Sequence, residues 1–316
     1  MGSSRWSNDF YHEREAERAT TGKSAFAYHE KVAKAPASER KVHANLVPMK
    51  IMRESRDSKE HPESRALAIV FDVTGSMGGI PRILQKKLPA LMSTLLERKY
   101  VKDPQIMFAA VGDTTCDQAS LQIGQFESGI EMDDDLGRMW LEGGGGPSTE
   151  ESYQNALYFF ARHTSCDCFE KRKEKGYLFI IGDEMPYPKI RRGEVKQLMG
   201  DILQEDVPIE DIVKEVQERF HVFFVIPQGA SHSESRSLLS HWAGLLGSQN
   251  VIRADPESVC ETITMTIGLS EGTVDLDGAR QDLQEAGSDA KAVNAAAAAL
   301  HSLAKSKNVA SRTARI

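Results

Sequence analysis

Six short apolar runs, spaced by amphipathic stretches, organise the middle of the chain. Residues 66–71 (ALAIVF), 106–111 (IMFAAV), 177–181 (YLFII) and 221–226 (HVFFVI) are almost continuously apolar. That pattern predicts strands buried on both faces. Residues 121–126 (LQIGQF) alternate and predict a half-exposed edge strand; Val251-Ile252 predicts a short sixth strand. Between them, apolar residues recur at helical spacing. Ile80, Leu84, Leu88, Leu91 and Leu95 form one such stripe. Pro81 suits the first turn of that helix, and Pro89 is expected to kink it. Further helices are predicted at about 133–141, 150–163, 209–220, 233–246 and 256–267.

Buried strands alternating with amphipathic helices imply an α/β fold. The expected architecture is a doubly wound, mostly parallel, Rossmann-like sheet with one antiparallel edge strand and helices on both faces. In such sheets ligands bind beyond the carboxyl ends of the strands. Asp72, Asp113 and Asp183 each directly follow a buried run and are expected on that rim.

The flanks differ in character. Residues 1–63 are polar, with no sustained apolar period, and 55–64 (SRDSKEHPES) reads as a solvated linker. The aromatics Trp6, Phe10, Tyr11, Phe26 and Tyr28 predict an arm that wraps the domain rather than a free one. The domain itself is placed at 64–270, and 271–316 as a tail, partly helical or disordered. In the tail, Ala295 to Ala299 with Leu300 and Leu303 form a helix candidate, and the basic stretch from Lys305 reads as a loose end.

The formal charge of -7 and pI of about 5.8 argue against nucleic acid as the partner. No apolar run is long enough to span a bilayer, so no membrane association is expected. The N-terminus has no hydrophobic signal core, which predicts a cytoplasmic protein. The four cysteines read as reduced thiols; Cys166 and Cys168 are one residue apart, short of the spacing of zinc knuckles.

The strongest motif is Asp72-Val73-Thr74-Gly75-Ser76-Met77-Gly78. One carboxylate and two hydroxyls sit at alternate positions on a tight turn after a buried strand, so three oxygens can converge. Hard, small cations prefer such ligands. In the plainer reading, Thr74 and Ser76 cap the following helix. The stretch resembles the DxSxS motif of von Willebrand factor A domains, with Thr74 for the first Ser, and of the intracellular bacterial or phage-like type. The third element of that family's metal-ion-dependent adhesion site is matched by 178–183 (LFIIGD), which ends on Asp183. The second is matched loosely by the glycine loop 143–152 (GGGGPSTEES). Thr149 is its expected ligand, with Ser148, Glu151 and Ser152 as rivals. The resemblance covers about residues 65–270.

It implies a non-enzymatic binding module in which Asp72, Thr74, Ser76, Thr149 and Asp183 hold one Mg²⁺ or Mn²⁺. The ion leaves a position open for an Asp or Glu of a protein partner. Bacterial relatives of the domain often act beside MoxR-type AAA+ ATPases, which suggests one as the partner. Two other readings stand beside it. One is a haloacid dehalogenase-like Mg²⁺-dependent phosphatase, since Gly112 to Asp117 spells GDxxxD. Against it, Thr74 stands where an acid–base Asp is needed, and GDxxxD comes far too early, on the next strand and before any candidate phosphate-binding Lys. The other is a structural assembly component. Asp133-Asp134-Asp135 is expected to favour a helix dipole and face solvent. His163 is expected to cap a helix rather than ligate a metal.

Overall fold

The computed structural model describes residues 4–77, 79–144 and 149–305; of Ser76 it describes the backbone only. A six-stranded sheet runs through the centre. Its strands are β1 (Arg65–Asp72), β2 (Pro104–Val111), β3 (Leu121–Ile123), β4 (Gly176–Ile181), β5 (Phe220–Pro227) and β6 (Val251–Ala254). The order across the sheet is β6-β5-β4-β1-β2-β3. All neighbours are parallel except β2 and β3, so the antiparallel edge is where the alternating run places it.

Every residue of β1 is buried, as a strand covered on both faces requires. Leu67, Ile69 and Phe71 point into one apolar layer, Ala66, Ala68 and Val70 into the other. Successive side chains alternate across the pleat, so one strand feeds two cores. The first layer is covered by α2 (Ile80–Glu97), α3 (Glu131–Gly137) and α7 (Val259–Glu271). The second is covered by α4 (Tyr153–Arg162), α5 (Ile209–Arg219) and α6 (Arg236–Leu246). The fold is therefore α/β and Rossmann-like, with helices on both faces. No helix among the described residues is long and apolar enough to cross a membrane.

The flanks are more structured than their patterning suggests. In the polar arm, α1 (Asn8–Thr21) has no apolar stripe, but Tyr11 and Phe26 enter the first core. Phe10, by contrast, is exposed. Arg18 pairs with Asp133, and Arg14 bonds Asp134 at 2.5 Å. This corrects the expectation that the acidic triplet faces solvent: Asp133 is fully buried because α1 lies over it, and Asp135 is also buried, bonded to Arg138. In the tail, α8 (Leu276–Glu285) and α9 (Ala290–Ala299) bury Ala279, Leu283, Val293, Ala296 and Ala297 in the same core. The basic stretch after Lys305 lies outside the described residues. The edge strand is fully buried rather than half-exposed. Its polar member, Gln122, is satisfied by the backbone of Trp140, donating at 2.8 Å and accepting at 2.9 Å. His163 lies at the end of α4, its ring bonding Asp201 and the Ile51 carbonyl.

Candidate metal centre

The carboxyl ends of β1, β2 and β4 share one rim, and each delivers an acid to it. Asp72 ends β1 and is fully buried. The chain turns sharply after it, so the Thr74 amide donates to Asp72 Oδ1 at 2.6 Å. Thr74 is itself buried and also bonds Asp72 through its side chain. The hydroxyl of Tyr153, the first residue of α4, donates to Asp72 Oδ2 at 2.8 Å.

The glycine loop lies against this turn. Gly143 N donates to the Val73 carbonyl at 3.0 Å, and Gly75 N donates to the Gly144 carbonyl at 2.9 Å. A Cβ on Gly144 would meet the Asp117 carboxylate, so any other residue there would push that side chain aside. Gly145, Gly146, Pro147 and Ser148 lie outside the described residues. The loop re-emerges as a two-residue strand, Glu150–Glu151, parallel to Met185–Pro186. That small ladder starts α4 later than the apolar pattern suggests. It also joins the loop to the segment after β4, setting Glu151 beside Glu184.

Asp72, Glu151 and Glu184 thus converge. One carboxylate oxygen from each lies within 4.8 Å of the others. Asp72 and Glu151 are buried and Glu184 half-buried. Among the described residues no lysine or arginine pairs with any of the three. Burial raises the Asp72 carboxyl above its ordinary range, against the hydrogen bonds from Thr74 and Tyr153. Burial and then the charge of Asp72 raise Glu151 in the same direction. Glu184 is pushed up to about 8 by burial and by Asp72, Asp183 and Asp113. Carboxylates crowded in a poorly solvated place either hold protons or hold a cation. The donors are all hard oxygens, so the residues fit a divalent ion such as Mg²⁺ or Mn²⁺.

The residues named from sequence fall into different places. Asp72 and Thr74 sit together at the cluster. Asp183 is buried, and its Oδ2 accepts the His232 amide at 3.0 Å; the His232 ring nitrogen is 3.8 Å away. Thr149 is exposed, its carbonyl accepting the Met185 amide at 3.1 Å, whereas its rival Glu151 joins the cluster. Ser76's side chain lies outside what the structure describes. Asp113 is buried in a bed of its own, accepting from Thr115 and Tyr187. Asp117 folds back to accept the Asp113 amide at 2.8 Å, so Gly112 to Asp117 closes as a polar loop. Glu184 and Tyr153 were not singled out from sequence. The available signal for Glu184 was an acid immediately after Asp183; Tyr153 carried none, since an aromatic opening a helix reads as core.

At the far end of the Asp72 turn lies an apolar hollow of about 270 Å³, lined by Met77, Ile80, Ile83, Pro227, Ala230 and Pro256 among others. It is built from the start of α2 and the end of β5, so it borders the turn that carries Asp72.

No family model and no curated protein matches the chain. Among solved structures, it is similar to the pilus adhesin SpaC from Lactobacillus rhamnosus GG in its open conformation. That likeness has 8% identity and a TM-score of 0.46, and covers 69% of this chain and 31% of the adhesin. It is also similar to proximal thread matrix protein 1 from the mussel byssus, at 9% identity and a TM-score of 0.41, covering 71% of this chain and 47% of that protein. The chain thus spans about a third of the adhesin's length and about half of the matrix protein's.

Proposed function

We propose that the rim binds one divalent cation, Mg²⁺ or Mn²⁺, and uses it to dock a protein partner through an acidic side chain. The chain is read here as a von Willebrand factor A-type module, on the strength of its Asp72-to-Gly78 motif and its Asp183. The observation that carries the reading is the convergence of Asp72, Glu151 and Glu184 with no lysine or arginine partner among the described residues, the His232 ring nitrogen standing 3.9 Å from Glu184. Such a cluster gains most from an ion that replaces the missing positive charge. Thr74 and Asp183 support it from either side. Glu184 is the least buried of the three, its side chain 16% exposed, and so is best placed to give way to a partner's carboxylate.

The hollow lined by Met77, Ile80 and Ala230 suits an apolar side chain next to that acid. The partner segment we expect therefore pairs an Asp or Glu with an aliphatic neighbour. An AAA+ ATPase is the partner class suggested by the resemblance. We assign no reaction: Thr74 cannot take up and return a proton near neutral pH, and no activated nucleophile stands beside Asp72 in this reading. We place the protein in the cytoplasm, where four free cysteines are stable as thiols.

The test is affinity capture with the full chain as bait, in Mg²⁺ and in EDTA, followed by binding measurements on the captured partner. Binding should fall sharply with EDTA, with Asp72→Ala and with Thr74→Ala. A partner that binds equally well without metal and to Asp72→Ala would overturn the reading.

A further inference from the structure

A second concave surface lies at α1 and α2, and its charge is opposite to that of the acidic rim. It is a cleft of about 800 Å³ between α1, residues 22–34 and α2. Five basic residues line it: Arg18, Lys23, Lys34, Arg82 and Lys86. Arg18 is committed, paired with Asp133 and Glu15. The other four form no ion pair among the described residues. Arg82 lies over the ring of Phe26, with its guanidinium carbon 5.6 Å from the centroid, and Phe26 is fully buried beneath it. Arg82 and Lys86 are four residues apart on α2 and so share one helix face. Lys23 and Lys34 come from the opposite wall. Glu30 is the lining acid without an ion pair among the described residues, which leaves a local excess of about three positive charges.

That excess stands on a chain whose formal charge is -7. Like charges facing one another across a cleft repel, and an anion between them removes the repulsion. The volume falls in the range of small-molecule sites, roughly 300–1,000 Å³. Lysines act as mobile point charges that can close on phosphate oxygens from several sides, and a guanidinium presents a planar fork of donors that matches phosphate oxygens.

We propose that this cleft binds a small anion carrying several phosphate groups, independently of the metal rim. The ligand would tie α1 and residues 22–34 to α2. Sodium tripolyphosphate is the probe, titrated calorimetrically into the full chain at low salt without divalent cations. The expected result is saturable one-to-one binding. Arg82→Glu with Lys86→Glu should weaken it by about tenfold or more, equivalent to ~1.4 kcal/mol. Lys196→Glu with Lys214→Glu, the same charge change on the opposite face of the sheet, should leave it nearly unchanged, as should Asp72→Ala. Should the double glutamate variant fail to fold, Arg82→Gln with Lys86→Gln should still weaken binding clearly. Absence of saturable binding would overturn the proposal, as would equal loss in the two charge-reversed variants or retention in the cleft variant. Binding of a decaglutamate peptide in place of tripolyphosphate would overturn it in favour of an acidic protein segment.

Discussion

Tyr153 joins the second of the two cores to the acidic rim. Its ring packs edge-on against Phe224 and Trp242, and its hydroxyl holds Asp72. Gly182, directly after β4, makes room for it: a Cβ there would collide with the Tyr153 ring and hydroxyl. Gly182→Ala is therefore expected to cost about 1–3 kcal/mol by overpacking and to displace Asp72. Gly193→Ala is the control. Nothing lies within 4 Å of a Cβ at Gly193, in the exposed helix Arg192–Leu198, so that change should be neutral or stabilising by up to ~1 kcal/mol. Denaturant unfolding of the two variants separates them; equal stabilities would refute the packing account. At this scale the sequence was partly legible. Asp72 and Asp183 announce themselves because each ends an apolar run. Glu151 is legible only as one of several rivals in the glycine loop and Glu184 is not, because their meeting depends on a two-residue ladder between distant loops, which no local period encodes.

The pattern of α2 shows what its apolar stripe hides. Pro89 stands inside the helix and has no N–H to offer the Gln85 carbonyl one turn before it. The Tyr11 hydroxyl of α1 donates to that carbonyl at 2.6 Å, and Gln85 Nε2 donates back to Tyr11 at 2.9 Å. The arm thus repairs a defect in the domain. Tyr11→Phe leaves a buried carbonyl without its donor and should cost about 1–3 kcal/mol. In a Pro89→Ala background the helix supplies an N–H itself, so the same change should cost measurably less. A double-mutant cycle by thermal or denaturant unfolding reads the difference, and strict additivity would contradict the account. The linker 55–64 is held in a comparable way. Asp57 accepts from the Ser64 amide and hydroxyl and from Arg172 and Lys171. Burial pushes its carboxyl up, but these partners outweigh burial and hold it down to about 2, from 3.8. A depressed folded-state value means its contribution is present above the unfolded value and lost as pH falls through the folded one. Stability should therefore drop between about pH 4 and pH 2 more steeply in the parent than in Asp57→Asn. Parallel acid unfolding curves would contradict this. Helix α1 was not legible as a helix because it is fastened by one tyrosine and two arginines, not by an apolar stripe.

For the whole molecule, the six strands, their mostly parallel pairing and the antiparallel edge follow from buried runs and connecting helices, and that much the chain announces. The packing of both flanks does not, since their few apolar residues complete a core made elsewhere: Tyr11, Phe26 and Leu46 from the arm, Val293, Leu300 and Leu303 from the tail. The same sheet sets out two surfaces of opposite charge, the acidic rim beyond the strands and the basic cleft beside α1. The acidic rim carries the proposed metal site. Calorimetric titration of Mg²⁺ into the parent, Asp72→Ala and Glu151→Gln tests it most directly. The parent should show about one site, Asp72→Ala should lose binding and Glu151→Gln should be markedly weakened, because the proposed ligands are carboxylates in a place short of water. No heat of binding in the parent, or an Asp72→Ala titration that overlays it, would contradict the metal site outright.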